Sequence, residues 1–282
     1  MCTPGDGRGC GFDRRDFLKA GAASVSGVGA IGAAAAHAQQ KPPPTRVLDD
    51  PRVDHGLVTF KHGGKDTFEG YLARPKASGT FPGVLVITGS TITEEYIPNT
   101  CAALALAGFV GLAPNIFHSV PAGTAFDDRG KYLKDHTIFD ALEDIQVGAD
   151  YLRTQPFVAG GGLGIVGFCY GGWLALLTGA RSRQIGAVVA YHPGIGRDRD
   201  ELRQSQAPVQ LHQGAADHDT DPKTAIELRD LLKAKRVPVE LFMYPGADHG
   251  FTAYTRPFYR PDDAALSWTR TTEFLTRQLN GK

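Results

Sequence analysis

Leu163-Gly164-Ile165-Val166-Gly167-Phe168-Cys169-Tyr170-Gly171-Gly172-Trp173 reads as a strand, a sharp turn and the start of a helix. The run from Leu163 to Gly167 reads as a strand, and Gly83–Ile87 is a continuous apolar run typical of a strand covered on both faces. A helix is expected from Gly171 to Thr178. Between them stands G-x-C-x-G, the thiol form of the strand–turn–helix elbow that lifts a nucleophile above the end of a parallel sheet. Gly167 and Gly171 flank the turn because side chains there would strike the neighbouring strand and helix. The helix start behind Cys169 brings positive potential to the sulfur, which favours a thiolate. The N–H of Tyr170 points to where an oxyanion would form.

Working outward, the same β–α alternation continues on both sides. Leu57–Phe60 and Phe68–Leu72 are short β-like runs, and His62-Gly63-Gly64-Lys65-Asp66 between them suits a hairpin turn. Gly83–Ile87, Phe109–Ala113, Gly186–Ala190, Pro208–His212 and Val239–Tyr244 read as further strands. Helices are expected over Tyr96–Ala107, Ile138–Arg153, Pro222–Lys235 and Asp262–Leu279. Ile138, Leu142, Ile145, Ala149 and Leu152 fall on one side of the second, and Pro222 takes the first position of the third. Two antiparallel-looking strands followed by repeated β–α units predict an α/β chain. Its sheet is open and mostly parallel, with helices on both faces.

The first forty residues differ from the rest. Arg14-Arg15-Asp16-Phe17-Leu18-Lys19 precedes a mildly apolar run from Ala20 to Ala36, and Ala36-His37-Ala38 supplies an A-x-A cleavage site. Basic region, apolar region and small-residue site in that order make a signal peptide over 1–38, and the arginine pair resembles a twin-arginine signal. The run is too rich in Gly and Ala for a strong membrane span. An exported, periplasmic protein is expected, with no membrane span after cleavage. Pro42-Pro43-Pro44 marks a linker over 39–54, and the remaining domain is expected over 55–282. The 30 basic and 30 acidic residues among 282 leave no net charge, so nucleic acid is not an expected partner. Four cysteines are too few for a disulfide framework. Cys2 and Cys10 leave with the signal, and Cys101 reads as core.

A thiol nucleophile needs a base, and the base needs an orienting group. In this architecture they follow in the order nucleophile, acid, histidine. Asp217 follows the strand that ends at His212, and His249 follows the strand that ends at Tyr244. Both therefore come from loops at the carboxyl edge of the sheet, where open α/β sheets bind ligands. Asp219 and Asp221 are alternatives to Asp217. His218, His212, His192 and His118 are alternatives to His249. His212, Asp217, His218, Asp219 and Asp221 also gather metal-type ligands. Their spacing fits neither H-E-x-x-H nor a calcium loop, so no metal is expected, and no cofactor.

In Phe81–Ile87, Gly108–Pro114, Gly164–Gly172, Gly214-Ala215-Ala216-Asp217 and Asp248-His249-Gly250-Phe251 the chain resembles the dienelactone hydrolase family. The resemblance spans roughly residues 55–280. It implies an α/β-hydrolase fold and cofactor-free opening of lactones or cleavage of esters. It also implies Cys169 as nucleophile, His249 as base, Asp217 as orienter, and the backbone N–H of Ser90 joining that of Tyr170 in an oxyanion hole. Gly89, Thr91, Glu95, His192, Phe251 and Arg129 are the expected pocket residues. Two positions depart from the family pattern. Gly89 stands where a thiol-contacting Glu is expected, and Ala253 where an arginine holds the substrate carboxylate. Arg256 and Arg129 are candidate replacements for that arginine. These departures keep two other readings open. One is a small-molecule binding protein that retains the pocket without catalysis, and the other a redox-sensitive thiol protein.

Overall fold

The computed structural model describes residues 46–280, apart from 63–65, 90, 93, 122–123, 125–130, 132–135 and 195–198. The signal at 1–38, the linker up to residue 45 and the middle of the expected hairpin turn lie outside the described residues. Eight strands form one sheet: β1 (Val53–His62), β2 (Asp66–Pro75), β3 (Gly83–Ile87), β4 (Val110–Pro114), β5 (Leu163–Phe168), β6 (Ile185–Tyr191), β7 (Val209–Gly214) and β8 (Val239–Tyr244). Their order is β1-β2-β4-β3-β5-β6-β7-β8. β1 pairs antiparallel with β2, and β2 with β4; all other neighbours are parallel. This is the α/β-hydrolase fold.

Among the described residues five helices cover the sheet: α1 (Tyr96–Leu106), α2 (Ile138–Thr154), α3 (Tyr170–Arg181), α4 (Pro222–Ala234) and α5 (Pro261–Leu279). Buried side chains of α1 and α5, such as Ile97, Cys101, Phe274 and Leu275, pack with Val84, Val86, Val166 and Val189 on one face. Those of α2, α3 and α4, such as Ile145, Leu174 and Leu228, pack with Leu85, Ile87, Ile165 and Val188 on the other. Alternate residues of the central strands thus enter opposite cores, which is why these strands read as continuous apolar runs.

Local signals set the helix starts. At α2 the Thr137 hydroxyl accepts from the Asp140 N–H at 3.3 Å, and the Asp140 carboxylate accepts from the Thr137 N–H at 2.6 Å, a reciprocal capping box. At α4 the Asp221 carboxylate accepts from Lys223 N–H at 2.9 Å, with Pro222 in the first turn. α1 ends before Gly108, whose φ of +87° stops the helix.

Two boundaries differ from expectation. β1 and β2 have ten residues each rather than four or five. β1 lies at the sheet edge with Asp54, His55, Thr59 and Lys61 exposed and Leu57 62% exposed, so its ends lack an apolar alternation. Residues 46–54, expected as linker, are packed against the domain. Val47 is buried, and its N–H donates to Asn99 Oδ1 of α1 at 2.6 Å. Among the described residues no helix is long and apolar enough to cross a membrane.

The tightest packing is at the elbow. A Cβ on Gly171 would lie 2.6 Å from the Thr88 amide nitrogen and collide with the Ile87 carbonyl. Gly171→Ala is therefore expected to lower stability by at least about 2 kcal/mol through overpacking, read as a lower urea midpoint at unchanged m-value.

Candidate active site

Cys169 stands between β5 and α3 with φ +55° and ψ −122°. A non-glycine residue in such a conformation costs about 1–3 kcal/mol and persists only where its surroundings hold it. Here three backbone hydrogen bonds do so. The Cys169 N–H donates to Tyr191 O of β6 at 3.0 Å. The N–H groups of Gly172 and Trp173 donate to Cys169 O at 2.9 and 3.2 Å. A Cβ on Gly167 would lie 2.6 Å from the Gly171 carbonyl carbon, so no larger residue fits the crossing of strand and helix. The thiol is half-buried.

β7 and β8 bring the other two groups to the same sheet edge. Asp217 follows β7, and its side chain is fully buried. Oδ1 accepts from the N–H groups of Asp219 (2.9 Å) and Thr220 (2.8 Å), and Oδ2 from Gln213 Nε2 (2.8 Å). His249 Nδ1 lies 3.2 Å from Oδ1 and 3.1 Å from Oδ2. The neighbouring Cys169 sulfur also favours the charged imidazole. Burial opposes the imidazolium, but the hydrogen bonds to Asp217 and the neighbouring Cys169 sulfur outweigh it and push the His249 pKa up to about 10. The arrangement can therefore hold a proton on His249 between a carboxylate and a sulfur, as acyl-transfer chemistry needs.

The alternatives separate cleanly. Asp219 supplies only its amide to Asp217, and Asp221 caps α4. His218 is exposed and bound to Asp248 Oδ2 at 3.0 Å. His212 is buried within β7, 2.7 Å from Tyr244 Oη and 2.9 Å from Gln210 Oε1. His118 faces Asp144 at 3.5 Å. The suspected metal-ligand cluster is thus divided among four environments.

The pocket residues fare unequally. His192 is buried beside His249, with ring centroids 4.3 Å apart. Gly89 lies against the elbow: a Cβ there would be 3.7 Å from Tyr170 N and 3.3 Å from Tyr170 Cβ. Thr91 is buried. Glu95 instead accepts from Tyr254 Oη at 2.7 Å and pairs with Arg46 at 3.2 Å. Phe251 is fully buried against Tyr244 and backs His192, so it belongs to the core wall. Ser90 and Arg129 lie outside the described residues. Arg256 pairs with Glu94 at 3.3 Å. Cys101 is fully buried on α1, where burial pushes its thiol pKa up; a Cβ on Gly111 would lie 3.0 Å from its Cα.

Two supporting residues were missed in the sequence. Gln213 holds Asp217, and Asp248 ties the two loops together by accepting from the N–H groups of His249 (2.7 Å) and His218 (3.0 Å). The available signal for Gln213 was a polar residue inside a strand buried on both faces, which needs a specific partner.

The sheet order, the elbow and the ordered Asp and His at strand ends define a hydrolase of the α/β-hydrolase class. The family profile described as "Dienelactone hydrolase family" matches residues 68–279, and the chain belongs to that family. A Bradyrhizobium protein, provisionally named a 2-oxo-3-(5-oxofuran-2-ylidene)propanoate lactonase, is 32% identical over 225 residues, covering 75% of this chain and 90% of its own. A Salmonella typhi protein, provisionally named a carboxymethylenebutenolidase, is 31% identical over 251 residues, covering 83% and 90%. The crystal structure of a provisionally named dienelactone hydrolase from Klebsiella pneumoniae subsp. pneumoniae superposes with a TM-score of 0.71 at 26% identity, covering 80% of this chain and 99% of that one.

The raised His249 pKa carries a pH signature. The unfolded imidazole titrates near 6.5 and the folded one near 10. The stability it contributes is complete below pH 6.5 and is lost as pH rises toward 10. Asp217→Asn removes a main source of the shift. The stability gap between wild type and Asp217→Asn should therefore be largest below pH 6.5 and narrow steadily up to pH 10. NMR titration of the His249 ring should show its pKa moving down in the variant.

Proposed function

We propose that the protein hydrolyses carboxylic esters or lactones through Cys169, His249 and Asp217. The observation that carries this reading is His249, hydrogen-bonded to Asp217 and beside a sulfur on a strained strand–helix elbow. Cys169 attacks the carbonyl carbon as a thiolate, its proton resting on His249. The carbonyl oxygen takes up the negative charge and is held by the N–H groups of Tyr170 and Ser90. The C–O bond then breaks, His249 gives its proton to the leaving oxygen, and a thioester remains on Cys169. Water attacks the thioester carbon as His249 takes its proton, the C–S bond breaks, Cys169 leaves as a thiolate beside the protonated His249, and the acid departs. Asp217 keeps Nδ1 of His249 protonated throughout.

The relatives' names point to lactones as one substrate class. Gly89 and Ala253 argue against carrying over their substrates unchanged, because the side chains expected to touch thiol and carboxylate are lacking at those positions. Gly89 also leaves more room beside the Tyr170 amide than a Glu would.

Incubation with a panel of activated esters and lactones should give turnover and an acyl adduct on Cys169 detectable by mass spectrometry. Cys169→Ala should lose both, with kcat down at least about a thousandfold. An intact fold with neither adduct nor turnover in the wild type would instead favour a binding protein that retains the pocket.

We further propose that residues 1–38 direct export to the periplasm, with cleavage after Ala38. The support is the order Arg14-Arg15, apolar run, Ala36-His37-Ala38. Replacing Arg14 and Arg15 by Lys should leave a longer, uncleaved precursor in the cytoplasmic fraction. Unchanged cleavage and export would argue against the twin-arginine reading.

A further inference from the structure

His192 combines three properties that ordinary packing does not require together. It follows β6 in a left-handed conformation, φ +35°, although it has a side chain. It is 3% exposed, and both ring nitrogens are buried without a hydrogen-bond partner. Its ring stands 4.3 Å from that of His249 and 6.3 Å from Phe251, between centroids. Burial, followed by the charge of His249, holds its pKa well below the usual histidine range, so the ring is neutral. A phenylalanine or leucine would fill this space without stranding two polar atoms. Strain and unpaired buried polar groups concentrate at working positions in active sites.

The sheet order says which part of a substrate His192 meets. Cys169 ends β5. On one side lies β3, whose end leads into Gly89 beside the Tyr170 amide, the expected oxyanion side. On the other side lies β6, which leads into His192. The position opposite the oxyanion and next to His249 belongs to the oxygen that leaves in acylation. By microscopic reversibility it also belongs to the water oxygen that enters in deacylation.

We propose that His192 is a further catalytic residue, a neutral imidazole that hydrogen-bonds the oxygen that His249 protonates in acylation and deprotonates in deacylation. This rests on the Cys169 reading above. His192 itself neither gains nor loses a proton. The C–O bond breaks as His249 donates to the leaving oxygen, and it is remade from water as His249 accepts, while His192 steadies that oxygen in both steps. The contact forms as His249 turns from the sulfur toward the oxygen, which uncovers the face of His192 behind it.

Leaving-group ability separates the two halves of the reaction. A nitrophenolate departs without help, whereas water must always be activated. In His192→Phe, a nitrophenyl ester should give an initial burst of near wild-type rate. Steady turnover should fall about ten- to a hundredfold, the loss expected for one hydrogen bond to a charged transition state. Acyl-Cys169 should accumulate by mass spectrometry, and alkyl esters should lose acylation as well. The melting temperature should hold or rise, because two stranded nitrogens are gone. His192→Asn, which tolerates positive φ and offers an amide N–H, should recover part of the turnover.

Wild-type turnover in His192→Phe, or burst and turnover falling together with a lowered melting temperature, would overturn the proposal. An Asn variant no better than Phe would also count against it. Should Phe prevent folding, the burst-to-turnover ratio of His192→Ala decides in the same way. Cys169→Ala run in parallel separates the two readings. If it is inactive while His192→Phe behaves as wild type, only the role of His192 fails. If Cys169→Ala keeps full turnover, both fail.

Discussion

Holding Cys169 at φ +55° requires β5 and α3 to meet almost without clearance. Gly167 touches Gly171, and Gly171 touches Ile87 and Thr88 of the next strand. One contact thus joins nucleophile, helix start and β3, the strand expected to lead to the second oxyanion donor. The strained residue is secured by Tyr191 O from β6 on its other flank. Because these partners belong to the best-buried strands, the strain cannot relax without disrupting both cores. The left-handed turn is an outcome of the sheet as a whole, and the position of the sulfur follows from it.

A second constraint is the junction of the loops after β7 and β8. Gly214 packs against Ala247, where a Cβ would lie 2.9 Å from the carbonyl carbon. Asp248 accepts from the amides of both His218 and His249, and Asp217 is saturated by two amides, Gln213 and His249. A carboxylate held by that many donors keeps one orientation. The His249 ring inherits its direction from this network, which is why His249 favours the imidazolium despite burial. His192, with neither nitrogen partnered, has the opposite environment only 4.3 Å away. Adjacent imidazoles with opposed protonation preferences allow one to carry a proton while the other stays a neutral hydrogen-bonding group.

Much of this was legible from residue patterns. The apolar run over 83–87 needs no partner to be read as a buried strand, and 163–167 and 239–244 read as strands, since period and length are local properties. The glycines around Cys169 likewise announce a close crossing, and Asp217 and His249 could be ranked by chain order. Pattern alone shortens the edge strand β1, because exposed polar residues near its ends carry no local mark of pairing. The 46–54 segment looked like linker, because a single buried Val47 and one hydrogen bond to Asn99 leave no periodic trace.

The sequence by itself determined the class of sheet, the nucleophile candidate and the order of its partners, since these rest on hydrophobic period, turn chemistry and spacing along the chain. Only the tertiary structure decided which of several neighbouring carboxylates and imidazoles lie in contact. Asp217 differs from Asp219 and Asp221 by where its oxygens point, and His249 from His218 by what its ring faces. The contacts that separate them join residues about 30 positions apart, Asp217 with His249 and His218 with Asp248. Glu95, plausible as a pocket residue by its place after β3, is turned to Arg46 and Tyr254. The unpartnered state of His192 is of the same kind: a missing hydrogen bond is a property of the surroundings, and no spacing rule can reveal it.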